Sequence, residues 1–441
     1  MTTAFEELLT GWITRQRWFA GKGRALEKVT VVSDVPLGPG LRHVIVAVRQ
    51  NGHDDRYQLL IGEREDIPAR LAHARIDTTV YDAVHDADKT GFILDAMARD
   101  AEVGPLRFRH VPGEVIDTSP RSLVIGAEQS NTSLVFGDSY ICKLFRRLIP
   151  GVNPELEIVT ALARQGSQHV AKPYGWIEID LDGQNTTLAI MQEFLTAASD
   201  GWALALTSVR DLYASMPGVP AGEAGGDFAA EAFRLGAATA QVHRELAAAF
   251  PTGVIEAPEI KRMAETFRNR LERAVAEVPE LGDHAAVAHE AFDRLADVTG
   301  PVPVQRVHGD YHLGQVMRTP TDWVILDFEG EPGQPLEERR ALSSPLRDVA
   351  GMLRSFDYAA RHLLADREDA AELAPRAREW SQRNRMSFLD GYADGGGRLH
   401  DDDDVLLRAL ELTKAVYEVV YEARNRPTWV PIPLSAFRDD G

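Results

Sequence analysis

The feature that most constrains the fold is a short β-rich segment that interrupts a long run of helical sequence. Residues 302–331 predict a strand, a loop and a second strand, whereas the flanking segments have apolar residues at helical spacing. The loop carries the motif HGDYHLGQ at 308–315, and Asp327-Phe328-Glu329 stand at the end of the second strand. Charged residues on a hairpin loop within a helical region predict a functional site. The alternative is a hairpin with a polar turn, in which HGD has no function.

The residue types of this motif match the needs of phosphoryl transfer. That reaction needs a carboxylate that orients and deprotonates the attacking hydroxyl, and oxygen ligands that hold Mg²⁺ against the nucleotide phosphates. Asp310 has the position of the base, Gln315 follows it by five residues as an amide ligand, and Asp327 ends the strand WVILD. If that strand continued, Glu329 would point to the same face as Asp327 and offer another oxygen ligand. His312 has two interpretations, hydrogen bonding that supports the loop or proton transfer.

The N-terminal half predicts a matching nucleotide-binding lobe. Lys143 lies in the apolar strand 140–145, and a buried ammonium needs an anionic partner. Glu155 or Glu157 on the following helix is the expected partner, and we prefer Glu157, as in the kinase lysine–glutamate pair that positions phosphates. The alternative is a lysine that points outward from an edge strand.

Two further segments of this half are candidates for nucleotide contact. Small polar residues between two strands would let backbone N–H groups approach phosphates, although a plain hairpin turn would look the same. These residues are Ser130, Asn131, Thr132 and Ser133. The end of the last strand is the candidate hinge, where backbone groups would meet adenine. The hinge residues are Gln192, Glu193 and Leu195.

A polar stripe on a late helix is the candidate sugar site. Spacings of three, four and three residues place on one helix face Lys414, Tyr417, Tyr421 and Arg424. Glu418 flanks this stripe. Aromatic faces combined with fixed charged groups suit sugar binding, so the stripe predicts the acceptor pocket. The alternative is a stripe that faces solvent or forms salt bridges within the protein.

Composition excludes several classes of partner. The 441 residues carry a formal net charge of −19, which disfavours nucleic acid and anionic membranes but not ATP. Cys142 is the only cysteine, so neither an intrachain disulfide nor a thiolate zinc site is expected. The start of the sequence shows no secretion signal, and no apolar run is long enough to span a membrane. A cytoplasmic location is expected.

The motifs and their order resemble the aminoglycoside-phosphotransferase-like kinases, and within them the actinobacterial maltokinases. HGDYHLGQ, DFEGEPGQP and SPLRDVAGMLRSFDYAA carry the first likeness. The second runs almost end to end and includes QRWFAGK (16–22), EQSNTS (128–133), NPELE (153–157), DGWALALTSVRDL (200–212) and ELTKAVYEVVYEARNRPTWVPIPL (411–434).

This resemblance implies a fold and a domain order. The expected fold is α+β, bilobal and protein-kinase-like, with an N-terminal cap subdomain. The implied domains are a cap over residues 1–90, a nucleotide-binding subdomain over 91–200 and a mainly helical lobe with the catalytic and sugar sites over 201–441. A monomer, or an assembly with an α-glucan pathway enzyme, is expected.

The resemblance also implies an activity. Maltokinases make maltose 1-phosphate from maltose and ATP, with Mg²⁺, and so feed α-glucan and glycogen synthesis. By resemblance Asp310 is the base, Gln315 and Asp327 bind the metal with Glu329 as a third ligand, and Lys143 contacts phosphate.

One residue departs from the family pattern, so the identity of the sugar substrate stays open. Thr413 stands in ELTKA where maltokinases have aspartate, and a related group of actinobacterial kinases phosphorylates glucosamine. A glucosamine kinase is therefore the alternative. A protein kinase is disfavoured because HGD replaces HRD, and a pseudokinase is disfavoured because the catalytic residue types are present.

Overall fold

The computed structural model describes residues 3–126, 130–331, 333–365, 367–397 and 403–438. The chain forms two compact units, one of residues 1–160 and 171–196 and the other of residues 161–170 and 197–441. The predicted three-part division at residues 90 and 200 stays a prediction.

The first unit is rich in β-structure. Its helices are α1 (Ala4–Ile13), α2 (Ala87–Ala98) and the start of α3 (Pro154–Arg164). Its strands are β1 (Lys28–Gly38), β2 (Leu41–Gln50), β3 (His53–Glu63), β4 (Val80–Asp82), β5 (Glu102–Val103), β6 (Leu106–His110), β7 (Ser122–Ile125), β8 (Asn131–Phe136), β9 (Tyr140–Phe145), β10 (Arg147–Leu148), β11 (Pro173–Leu181) and β12 (Gln184–Glu193).

These strands form two antiparallel sheets. The first has the order β1-β2-β3-β10, with β4 also paired to β3, and the second has the order β5-β6-β11-β12-β9-β8-β7. The first sheet therefore takes in β10, which lies far beyond residue 90 in the sequence. Trp18 and Phe19 pack against Tyr57 of the first sheet, with ring centroids 5.8 and 5.5 Å apart.

Helix ends in this unit follow the sequence signals. Thr3 and Glu6 form a capping box at α1, in which the Glu6 amide donates to Thr3 Oγ1 at 3.2 Å. α1 ends at Ile13. The Asn153 side chain accepts from the Glu155 amide at 2.8 Å, which is an N-cap contact at the start of α3.

A buried ion pair joins β4 to the segment between β9 and β10. Arg146 Nη2 lies 2.7 Å from Asp82 Oδ2, and the two side chains are 2% and 5% exposed. Arg146 Nε donates to Thr132 Oγ1 at 2.8 Å, and its guanidinium lies 4.9 Å from the Trp18 ring centroid. The guanidinium thus has a carboxylate, a hydroxyl and an aromatic ring as neighbours, and the pair fixes β4 against the strands of the second sheet.

Removing one partner of this pair should destabilise the protein strongly. We expect Asp82→Asn to lower the free energy of unfolding by about 3–5 kcal/mol, because it leaves an uncompensated buried guanidinium. The matched control is Asp55→Asn, which breaks the exposed pair with Arg147 and should cost less than about 1 kcal/mol. Urea unfolding of both variants measures the difference, and equal losses would contradict the assignment.

The second unit is mainly helical. Its helices are the end of α3, then α4 (Gly201–Ala214), α5 (Ala229–Ala249), α6 (Ala257–Glu277), α7 (Ala285–Ala296), α8 (Leu336–Arg340), α9 (Leu346–His362), α10 (Ala370–Asp394), α11 (Asp403–Asn425) and α12 (Pro431–Leu434). Its strands are β13 (Ser199–Asp200), β14 (Gly253–Ile255), β15 (Val302–Val304), β16 (Val316–Arg318) and β17 (Trp323–Ile325). The helical character predicted for the segments that flank residues 302–331 is confirmed.

The predicted strand–loop–strand at 302–331 is more divided than expected. β15 pairs with β14, whereas β16 and β17 form a tight hairpin with β13 at its edge. β17 ends at Ile325, and Asp327 has φ +61°. The prediction that the strand extends as far as Asp327 is therefore wrong, because this backbone conformation does not belong to a strand.

Two glycines bring helices α5 and α10 into backbone contact. A Cβ at Gly236 would lie 2.0 Å from the Phe388 carbonyl oxygen, and one at Gly391 would lie 1.9 Å from that of Phe233. Only glycine permits this approach. Across the described ranges of the chain, no helix is long and apolar enough to cross a membrane.

Candidate active site

The HGD loop is held by one buried carboxylate in the first turn of α9. Asp348 is 1% exposed, and its two oxygens accept the amides of His308 at 2.7 Å and Gly309 at 2.9 Å. Gly309 has φ +87°, a conformation that suits glycine and turns the loop so that both amides face one carboxylate. Asp310 follows directly, so Asp348 determines where its backbone lies.

Two histidines complete this support. His243 Nε2 lies 3.1 Å from Asp348 Oδ2, and His308 Nε2 lies 2.8 Å from the Leu326 carbonyl oxygen. Because a carbonyl only accepts, His308 Nε2 carries the proton, and its Nδ1 accepts from the Asp310 amide at 3.3 Å. Burial acts to raise the pKa of Asp348, but the hydrogen bond and charge of His243 outweigh it, so the pKa lies below its ordinary value.

Asp310 and Lys414 are neighbours. Lys414 Nζ lies 3.9 Å from Asp310 Oδ1, and both side chains are about one-third exposed. Lys414 belongs to α11, so this contact brings the predicted sugar stripe to the predicted base. A carboxylate and an ammonium at this distance can both reach one small molecule.

The predicted metal ligands also meet. Gln315 Nε2 lies 3.0 Å from Asp327 Oδ2, and the Leu326 amide donates to the Gln315 carbonyl at 2.8 Å. Carboxylate oxygens of Asp327 and Glu329 lie within 4.8 Å of one another. The left-handed turn at Asp327 brings these oxygens together. The prediction that they share one face of a continuing strand is therefore wrong. An amide and two carboxylates are hard oxygen donors that fit Mg²⁺.

His312 supports the loop. Its Nδ1 accepts from the Gly314 amide at 3.1 Å, so the ring caps the single turn at Leu313–Gln315. Burial lowers the pKa of His312, while the Asp310 carboxylate opposes that shift. Of the two predicted interpretations, these contacts bear out loop support.

Lys143 is paired, but not with the preferred carboxylate. Its Nζ lies 3.1 Å from Glu155 Oε2, and both side chains are largely buried. Glu155 and Glu157 are about 200° apart around α3, so the two cannot face the same lysine, and Glu157 is only half-buried. The lysine–glutamate pair is confirmed, and the preference for Glu157 is corrected to Glu155.

The candidate phosphate loop is shorter than predicted. β8 begins at Asn131, so Asn131, Thr132 and Ser133 belong to a strand paired with β9, and only Ser130 lies outside it. Thr132 is buried and its hydroxyl accepts from Arg146. The predicted loop is wrong for these three residues, because the ladder with β9 extends further than the sequence indicated. Residues 128–129 of the motif lie outside the described residues.

The candidate hinge stands at the end of β12, as predicted. β12 ends at Glu193, whose amide donates to the Lys172 carbonyl at 2.8 Å, and the Phe194 amide donates to the Ser139 carbonyl at 3.0 Å. Gln192 is buried and Leu195 is half-buried. Contact with adenine stays a prediction.

The stripe on α11 divides into two parts. Tyr417 and Tyr421 are 49% and 44% exposed, and their rings stack with centroids 6.3 Å apart. Arg424 instead forms a pair with Glu277 at 2.7 Å, and Glu418 accepts from the buried Arg354 at 2.8 Å. The salt-bridge alternative thus applies to Arg424 and Glu418, whereas the sugar-pocket prediction remains for Lys414 and the two tyrosines.

Sequence reasoning missed the residues that position the loop. Asp348 and His243 are nine-tenths or more buried, and neither was a candidate. A signal was available in SPLRDVAGML, where Leu346, Val349 and Leu353 mark the buried face of a helix and Asp348 stands beside them. A carboxylate on a buried helix face needs a partner, which would have pointed to the loop amides.

The chain matches known families and proteins. Residues 12–86 match the maltokinase N-terminal cap domain, and residues 123–389 match the phosphotransferase enzyme family. A glucosamine kinase of Streptacidiphilus jiangxiensis is 32% identical over 336 residues, which cover 73% of each chain. One of Mycolicibacterium smegmatis is 31% identical over 328 residues, which cover 72% of this chain and 79% of that one.

Solved structures extend the likeness to the whole chain. A glucosamine kinase in complex with glucosamine, ADP and inorganic phosphate superposes with a TM-score of 0.71 at 25% identity, over 99% of both chains. Another glucosamine kinase crystal form gives a TM-score of 0.73 at 25% identity, over 98% of both chains. The predicted resemblance and the α+β, protein-kinase-like fold with an N-terminal cap are confirmed. The chain belongs to the phosphotransferase enzyme family and carries a maltokinase-type N-terminal cap domain.

Proposed function

We propose that this protein is an ATP- and Mg²⁺-dependent kinase that phosphorylates a sugar hydroxyl. The observation that carries the proposal is Asp310 on a loop fixed by Asp348, with the Gln315–Asp327 pair following in the same motif. The sugar hydroxyl oxygen forms a bond to the γ-phosphorus while the bond from that phosphorus to the bridging oxygen breaks. The hydroxyl proton passes to the Asp310 carboxylate, and ADP leaves.

The metal ligands in this proposal are Gln315 and Asp327, with Glu329 as a third. Mg²⁺ bound there would neutralise the charge that develops on the nucleotide phosphates. Gln315 would use its side-chain oxygen, so its amide must turn from the present contact, in which Nε2 faces Asp327. In the other unit, Lys143, held by Glu155, is proposed to contact phosphate.

The charges near Asp310 favour a neutral sugar, and we take it to be maltose. An aminosugar needs a carboxylate for its ammonium, yet the three glutamates of α11 are already paired with arginines. Their shortest contacts are Glu411–Arg385 at 2.7 Å, Glu418–Arg354 at 2.8 Å and Glu422–Arg426 at 2.9 Å. Lys414 beside Asp310 would also repel an ammonium. The product is then maltose 1-phosphate, the form that feeds α-glucan and glycogen synthesis.

Glucosamine is the second candidate. The relatives at 31–32% identity are both glucosamine kinases, and the solved structure with a TM-score of 0.71 contains glucosamine. Thr413, beside Lys414, also departs from the maltokinase pattern; its hydroxyl lies 3.4 Å from Arg270 Nη1. Because of these likenesses, the experiment below compares an aminosugar with maltose.

A sugar panel separates the two candidates. We expect ATP turnover with maltose to exceed turnover with glucosamine by at least about tenfold, since like charges near Lys414 cost more than 1 kcal/mol at short range. Coupled ADP release measures turnover, and ³¹P and ¹³C NMR locate the phosphate, expected on the anomeric oxygen. Preferred turnover of glucosamine would establish the second candidate instead.

The role of Asp310 has a direct test. Asp310→Asn keeps the shape of the side chain but removes the proton acceptor, and we expect kcat to fall about a hundredfold or more. Asp322→Asn, in the turn between β16 and β17, is the matched control and should retain wild-type turnover. If a folded Asp310→Asn protein turned over normally, Asp310 would not be the base.

The role of Asp327 is tested through nucleotide binding. Asparagine tolerates the φ of +61°, so Asp327→Asn should fold and lose only a charged ligand. We expect the gain in ATP affinity that Mg²⁺ confers to fall about tenfold or more, with metal-free ATP binding retained. Calorimetric titrations with and without Mg²⁺ give both values, and an unchanged Mg²⁺ effect would exclude Asp327 as a ligand.

A further inference from the structure

The second unit contains a cavity whose described lining does not include Asp310. It has a volume of about 630 Å³ and is bordered by α5, β15, the first turn of α9 and the end of α10. This volume lies within the range of about 300–1,000 Å³ typical of small-molecule sites. Its polar lining consists of His243, Arg244, Thr252, Gln305, Ser344, Tyr392 and Asp403.

Arg244 gives this cavity a free cation. Among the residues that the structure describes, no carboxylate lies within 4.0 Å of its guanidinium, although the chain has a net charge of −19 and many arginines are paired. Gly396 has φ +86°, and a Cβ there would lie 2.5 Å from Arg244 Nη1. The glycine therefore makes room for the guanidinium at the cavity wall. Arg244 can receive an anionic group from solvent without breaking an existing pair.

The cavity reaches the residues that hold the HGD loop. His243 is 5% exposed; its Nδ1 lies 2.9 Å from the Tyr392 hydroxyl, and its Nε2 lies 3.1 Å from Asp348. Pro345 and Leu346, which also line the cavity, begin the helical turn that carries Asp348. An occupant that displaces either wall changes the position of Asp348 and, through two amides, the position of Asp310.

We propose that this cavity is a regulatory site for a phosphorylated sugar. The phosphate binds Arg244, and the sugar hydroxyls donate to Asp403 and exchange hydrogen bonds with Gln305 and Ser344. The Asp403 carboxylate repels inorganic phosphate, whereas the hydroxyls of a sugar phosphate add hydrogen-bond donors that offset this repulsion. The choice of ligand rests on the proposed function, because it is the chemical class of the product of that reaction. Occupation alters turnover through Asp348, without competition with the acceptor sugar.

Binding is measured while the transfer site is blocked. A saturating non-hydrolysable ATP analogue with Mg²⁺ places a γ-phosphate where a product phosphate would lie, so a sugar phosphate that still binds must bind elsewhere. Calorimetric titrations of the full chain use maltose 1-phosphate, glucose 6-phosphate and inorganic phosphate as probes. We expect at least one sugar phosphate to bind one site per chain, at least about tenfold more tightly than inorganic phosphate.

Two variants locate the site. Arg244→Gln should weaken sugar phosphate binding about tenfold or more, whereas Arg262→Gln, an exposed arginine on α6, should leave it unchanged. Hydrogen exchange of the His308 and Gly309 amides should change on binding in the wild type and in Arg262→Gln. Thermal unfolding confirms that both variants are folded.

Three outcomes would overturn the inference: no sugar phosphate binds, inorganic phosphate binds as tightly, or Arg244→Gln binds like the wild type. The sugar panel on the same preparation separates this inference from the proposed function. Turnover without binding removes the regulatory site alone. Binding without turnover of any sugar removes the proposed function alone.

Discussion

The second unit depends on one buried carboxylate. Asp348 receives two loop amides and one imidazole, and the position of Asp310 follows from those contacts. Removing one partner of such a buried charge typically costs about 3–5 kcal/mol, which is comparable to a large part of the stability of a domain. Because the folded pKa of Asp348 is lowered, its contribution to stability is present above the unfolded pKa of about 3.9 and is lost as the pH falls through the folded value.

Each unit contains a buried arginine that forms an ion pair between two elements of the fold. Arg146 fixes β4 in the first unit, and Arg354 joins α9 to Glu418 of α11 in the second. Asp357 extends the second network to α10, since it also pairs with Arg385; burial would raise the pKa of Asp357, but the surrounding arginines lower it to about 2. These networks fix the helices around the candidate site. Glu418, which the sequence offered as a ligand for the sugar, is instead paired with a buried arginine.

The sequence predicted those features that depend on local pattern. Apolar spacing located the helices, and the five-residue offset of Gln315 from Asp310 led to a candidate ligand that contacts Asp327. Prediction from the sequence failed where a tertiary contact or an unusual φ determines the local structure. Nothing local shows that Asp327 adopts φ +61°, which of two glutamates faces Lys143, or how far the β8–β9 ladder extends. Asp348 was missed because its partners are distant along the chain, the loop amides by 39 and 40 residues and His243 by 105 residues.

The two glycines at the contact between α5 and α10 determine how closely these helices pack beside the site. Gly236 lies two helical turns before His243, and Gly391 immediately precedes Tyr392, whose hydroxyl contacts that histidine. Any side chain at either glycine would force the two helices apart by about 1 Å, which is enough to break a hydrogen bond of ordinary length. A substitution at either glycine would therefore move the histidine that contacts Asp348 and so disturb the loop that carries Asp310.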